Sequence, residues 1–248
     1  MIVLGFGISI AQLFMGKTCP EDYGMLPDGE TSSSLGLPQE CPVQAPPKLN
    51  SLRPVLADSR FWIMALSYSL AVTAEMMAFM HQVAYATDNQ IEKVAAASSV
   101  GLVGVASILG RFFFGWLSDR IRDAKYAACL GFIFMAVGIC VLMHTRTAAV
   151  LFVYAMLFGF GYGSMSPMMP FLLADRFGRQ VLASSYGMLA FFAGIGGGVG
   201  PLLGGIIYDR LGSYNFAWKL DIAILVAVTF LILLLKPREN RTATLHQS

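Results

Sequence analysis

Polar residues are crowded into a few short stretches of this chain, and what lies between them is almost continuously apolar. Residues 1–15 form one such stretch. From residue 61 six more follow, Phe61–Ala86, Val94–Leu117, Tyr126–His144, Ala148–Leu173, Val181–Ile207 and Tyr214–Leu235, each bounded by charged or turn residues. A helix rises 1.5 Å per residue, so about 20 apolar residues cross the ~30 Å of bilayer hydrocarbon. Lipid offers no partner to a backbone amide, and a barrel strand would need about ten alternating residues, which these runs lack. The pattern predicts an all-α integral membrane protein with a six-helix bundle over residues 61–235.

Residues 1–15 carry no cation before Lys17, unlike the positive start of a signal peptide, and read as the end of a preceding transmembrane helix. Residues 16–60 are polar and contain Pro20, Pro27, Pro38, Pro42, Pro46, Pro47 and Pro54, which break helical hydrogen bonding and mark a linker. Residues 236–248 form a polar tail.

Composition agrees with lipid as solvent: 56% hydrophobic against 13% charged residues departs from the ~45–50% and ~25% of soluble domains. The net charge of +2 is small and its basic residues dispersed, which excludes a nucleic-acid surface. Cys129 and Cys140 lie inside an apolar run, and Cys19 and Cys41 lack metal-ligand spacing, so neither a metal nor another cofactor is called for. No HExxH or phosphate-cradling GxxxxGK sequence argues for an enzyme.

Charge placement sets an orientation. One set of inter-run segments carries Lys17, Lys48, Arg53, Arg60, Arg120, Arg122, Lys125, Arg176, Arg179, Lys236, Arg238 and Arg241; the opposite set carries Lys93, Arg146, Arg210 and Lys219. Cations concentrate on the cytoplasmic side, which predicts a multi-pass plasma-membrane protein, in a bacterium the inner membrane, with linker and carboxyl terminus cytoplasmic.

Polar residues inside the runs are the candidates for chemistry. Arg111 lies about two turns inside the second run and needs an anion, either a substrate carboxylate on its planar fork or a structural partner. Glu75 stands near the middle of the first run, suited to proton coupling or to pairing with Arg111. Tyr68, Glu75 and Gln82 recur at sevens on one helical face, lining an aqueous path or a closed polar seam. His81 is a proton relay or an interfacial histidine. Pro167 and Pro170, beside Ser164 and Ser166, predict a bend in the fourth run.

Glycines carry two further patterns. Gly104, Gly110, Gly115, Asp119 and Arg120 recur ninety residues on as Gly194, Gly200, Gly205, Asp209 and Arg210, at helix ends that three intervening spans place on opposite membrane faces, as in an inverted repeat. Gly196, Gly200 and Gly204 form a side-chain-free stripe for close helix packing, with or without sliding.

The stretch GRFFFGWLSDR over residues 110–120, with Gly115, Asp119, Arg120, Arg122 and then Lys125, resembles the loop signature of the major facilitator superfamily. Gly187, Gly196, Gly200, Pro201, Gly204 and Gly205 match that family's glycine-proline pattern, usually described for exchangers. The phrase PEDYGMLPDG over residues 20–29, with Arg111 four residues before Gly115, is most similar to the monocarboxylate and oxalate/formate branch. Arg122 stands where the signature has glycine, and the fifth run has no lysine like that of the oxalate exchanger, which disfavours a dicarboxylate.

The resemblance implies the carboxy-terminal half of a twelve-helix carrier, partnered by lipid and by an amino-terminal six-helix half in the same longer chain or a separate subunit. It implies alternating-access transport of a small organic anion, with Asp119 and its neighbouring cations as a conformational latch. A non-transporting membrane receptor or scaffold of the same fold, and an exporter of another small solute, are the alternatives.

Overall fold

The computed structural model describes residues 52–121, 123–178 and 181–235. These form eight helices and no strand: α1 (Arg53–Leu56), α2 (Ser59–Asp88), α3 (Lys93–Arg120), α4 (Lys125–Met143), α5 (Ala148–Tyr162), α6 (Met165–Phe177), α7 (Leu182–Leu211) and α8 (Asn215–Leu233). Six spans are long and apolar enough to cross a membrane, α5 and α6 together making one of them. The residues expected to end a preceding helix, most of the linker and the tail lie outside the described residues, as does Arg122.

The end of the linker is more ordered than its prolines suggest. Pro54 falls in the first turn of α1, where a missing N–H breaks no helical bond. Asp58 then caps α2, its carboxylate accepting from the Arg60 backbone N–H at 2.8 Å, so the span starts two residues before Phe61. Thr147 caps α5 in the same manner, and Gly178 and Gly212 close α6 and α7 with positive φ.

The fourth run is two helices rather than one bent one. Pro167 and Pro170 cannot donate to the preceding turn, and the chain breaks at Gly163–Ser164 before resuming as α6 to Phe177, beyond the expected Leu173. Asp119 and Arg120 belong to the last turn of α3 rather than to a loop; Asp119 is exposed and Arg120 lies over the Trp116 ring at 4.8 Å.

The spans alternate in direction. α2 packs mainly on α7 and α8, α5 on α3 and α4, and α4 on α8. Phe61, Phe114, Phe132, Tyr154, Phe158 and Trp218 fill the interior, whereas Phe112, Trp116, Phe191, Leu202 and Phe230 face outward, as an apolar solvent requires.

Glycine sets the distance between helices where backbones touch. A Cβ on Gly196 or Gly200 would collide with the carbonyl of Ser69 or Thr73 on α2, and one on Gly204 with the His81 ring. Gly187 and Gly205 of the same motif meet nothing within 4 Å. The stripe is therefore an α2–α7 contact made by three of its glycines.

Candidate functional site

The break between α5 and α6 brings the backbone of α3 close. A Cβ on Gly163 would meet the Ser107 carbonyl and the Arg111 amide, and one on Gly110 would meet the Phe160 carbonyl. With that face of α3 pressed on α5, Arg111 is rotated by about 100° from Gly110 and turns its side chain into the gap beside α2 and α7.

That gap is a cleft of about 390 Å³. Its walls are Tyr68, Val72, Glu75 and Met76 of α2, Arg111 of α3, Tyr162 and Met165 with Ser166 at the α5–α6 break, and Tyr186, Ala190, Ala193, Gly194 and Gly197 of α7. Glu75, Met165 and Ala193 are buried in its floor, while Arg111, Ser166, Ala190 and Gly194 are exposed around it. The Tyr162 hydroxyl lies between the Glu75 carboxyl and the Arg111 guanidinium, close enough to interact with each, and the Tyr68 hydroxyl meets that of Tyr186. A cation, a carboxyl and three phenols thus share one apolar-walled space near mid-span.

The structure separates the residues expected to act together. Tyr68, Glu75 and Arg111 meet in the cleft. Gln82 does not: two turns beyond Glu75 it is wholly buried, its amide nitrogen donating to the Phe79 carbonyl at 3.2 Å. His81 also lies outside the cleft and ties three helices together. Its Nε2 is 3.0 Å from the Pro201 carbonyl, which only accepts, so Nε2 carries the hydrogen, and Nδ1 is 3.2 Å from the Tyr214 hydroxyl.

Several polar residues that matter here do not stand out in the linear pattern. Tyr162 and Tyr186 carry no sequence signal, because tyrosine is ordinary in membrane helices. Asp123 and Arg176 read as loop charges, yet one Arg176 nitrogen lies 2.7 and 2.6 Å from the two Asp123 oxygens. Lys125, counted above only for its charge, donates to the Leu235 carbonyl at 2.8 Å and holds the end of α8. Asp221 has the same signal as Glu75, a carboxylate inside an apolar run. Among the described residues no group of three or more His, Cys, Asp or Glu side chains is placed to hold a metal.

The family profile of the Major Facilitator Superfamily matches residues 45–247. The chain belongs to the major facilitator superfamily. Its curated relatives include monocarboxylate transporters: it is 30% identical over 175 residues to Monocarboxylate transporter 12-B of Danio rerio, across 69% of this chain and 37% of that protein. It is 26% identical to Monocarboxylate transporter 9 of Pongo abelii, across 54% of this chain and 26% of that one. The chain therefore spans about a third of the length of these relatives, which are transporters by name rather than enzymes.

Solved structures show the same major facilitator fold. The POT family transporter PepTSo matches with a TM-score of 0.63 at 14% identity, over 73% of this chain and 38% of that chain. The E. coli fucose:proton symporter FucP matches with a TM-score of 0.63 at 17% identity, over 75% and 45%.

Proposed function

We propose that this chain forms one wall of a secondary transporter for a small organic monocarboxylate. Arg111 is the anion-binding group, Glu75 the proton-coupling group, and Tyr68 and Tyr162 supply hydroxyls to the bound carboxylate. The observation that supports this most is the placing of a guanidinium and a carboxyl from different helices in one mid-span cleft, joined by Tyr162. A planar guanidinium holds a carboxylate through two parallel N–H donors, and Val72 and Met76 offer apolar contact to a short hydrocarbon tail.

Alternating access needs a second bundle across the cleft, from the same longer chain or from a separate subunit. Rocking of the two bundles exposes the cleft to each side in turn, with Asp119 latching the cytoplasmic end; the basic segments favour that orientation in a plasma membrane.

The test is proton-driven uptake of a labelled monocarboxylate into vesicles containing the complete carrier. Loss of one charge-assisted hydrogen bond, worth about 1.5–3 kcal/mol, raises the half-saturating concentration of Arg111→Ala by roughly 10- to 100-fold. Uptake unchanged in a normally inserted Arg111→Ala protein refutes the assignment and favours the scaffold alternative.

A further inference from the structure

Both oxygens of the Asp221 carboxyl are shut inside the bundle with no hydrogen-bond partner among the described residues. Asp221 lies on the inward stripe of α8, between Trp218 and Leu225. The Tyr154 hydroxyl, the Trp218 indole N–H and the Gln82 amide oxygen, on side chains each at 0% exposure, are likewise unpartnered among the described residues. The ring of Tyr85 packs on Trp218 at 5.5 Å. Because α2 and α8 run antiparallel, one turn inward from that contact sets Gln82 opposite Asp221. The Tyr154 hydroxyl of α5 lies within electrostatic reach of the same carboxyl.

No cation faces it. Cys129 of α4 lies 3.7 Å from the Thr229 carbonyl, and the antiparallel register from there sets Met135, Gly138 and Ile139 at the level of Asp221. From α2 the nearby ionisable groups are Tyr85, whose hydroxyl donates to the Met143 carbonyl at 3.0 Å, and His81, whose ring nitrogens are taken up by the Pro201 carbonyl and the Tyr214 hydroxyl. From α7 it is Tyr208, stacked on Tyr214 at the bundle's end, and from α5 it is Tyr154.

An enclosed carboxylate without a counter-charge costs several kcal/mol, so its charge has to be neutralised by a bound species. A metal cation needs a shell of oxygens, whereas here α4 offers hydrocarbon and Trp218 a donor. A proton needs only one carboxyl oxygen, and the hydroxyl, amide and indole suit the neutral acid group that results.

We propose that Asp221 is a second proton-binding site of this bundle, separate from the cleft. Loading is a bare proton transfer: an O–H bond forms on Asp221 as an O–H bond of a hydronium ion breaks, leaving water, and release reverses it. Asp88 and Asn215 line one pocket and so mark the same end of the bundle. Asp221 lies six residues from that end along α8, about 9 Å, and Glu75 thirteen along α2, about 20 Å. The two carboxyls therefore sit at different depths, one wholly enclosed and one in the cleft floor. The physiological use of the second site rests on the transport reading; its existence does not.

The experiment is infrared spectroscopy of the purified full chain in detergent at neutral pH, without substrate. The expected result is a protonated-carboxyl C=O band that shifts down with ¹³C-aspartate labelling, shifts again on transfer to D₂O, and disappears in Asp221→Asn but not in Glu75→Gln. Isotope labelling shows in the wild-type protein that an aspartate is protonated, and the folded Asp221→Asn variant assigns the band to that residue. Absence of an aspartate band, its persistence in folded Asp221→Asn, or failure to exchange in D₂O overturns the proposal. Failed uptake with the band present counts against the transport reading alone.

Discussion

One nitrogen of Arg176 lies 2.7 and 2.6 Å from the two carboxylate oxygens of Asp123, tying the end of α6 to the segment between α3 and α4. A second nitrogen holds Asp175 at 2.8 Å, and the Arg176 side chain is only 1% exposed. Removing Asp123 leaves the buried guanidinium with Asp175 alone, at a cost of up to about 3–5 kcal/mol. Asp123→Asn should lower the thermal unfolding temperature in detergent by several degrees. A variant as stable as the parent would show that Asp175 alone suffices.

The α2–α7 contact predicts a contrast within one glycine motif. Gly200→Val thrusts side-chain atoms into the Thr73 carbonyl and should destabilise by about 1–3 kcal/mol or more. Gly205→Ala meets open space and should stay within about 0.5 kcal/mol of the parent. Denaturant titration of both variants measures the difference, and equal losses would mean that the stripe does not set the helix spacing.

At the start of α2, the Arg60 side-chain hydrogen bond holds the Asp58 carboxyl below its ordinary pKa, aided by the Arg60 backbone N–H and opposed by partial burial. A carboxyl with a lowered folded pKa contributes stability that is complete above its unfolded value and is lost as pH falls through the folded one. Asp58→Ala should therefore cost about 0.5–2 kcal/mol at neutral pH, and the difference from the parent should shrink on acidification below about pH 4. Unfolding temperatures of both proteins across that range check the sign.

Asp119 closes α3 and Asp209 lies in the last turns of α7, three spans apart and both exposed. In a background lacking native cysteines, Asp119→Cys and Asp209→Cys should react with a membrane-impermeant thiol reagent from opposite sides of the membrane. Labelling from the same side would dismiss the inverted repeat.

Glu75 and Arg111 were both legible as costly charges inside apolar runs. Their sharing of one cleft was not, because it follows from Gly163 and Gly110 letting α5 and α3 touch backbone to backbone. Tyr68 and Gln82 illustrate the limit of periodicity. Both belong to one helical face, but neighbouring helices end the cleft before Gln82 and bury that residue instead. His81 likewise stands outside the cleft, between Pro201 and Tyr214, a placement its linear position did not show.

By itself the sequence determined the solvent, the helical class and the number of spans. These depend on hydrophobic length and on backbone groups that lipid leaves unsatisfied, both local properties of each run. Only the tertiary structure decided which polar residues meet. Direction around a helix depends on packing against neighbours distant in sequence, and so Arg111, Glu75 and Tyr162 face a common cleft while Asp221 is enclosed without a counter-charge.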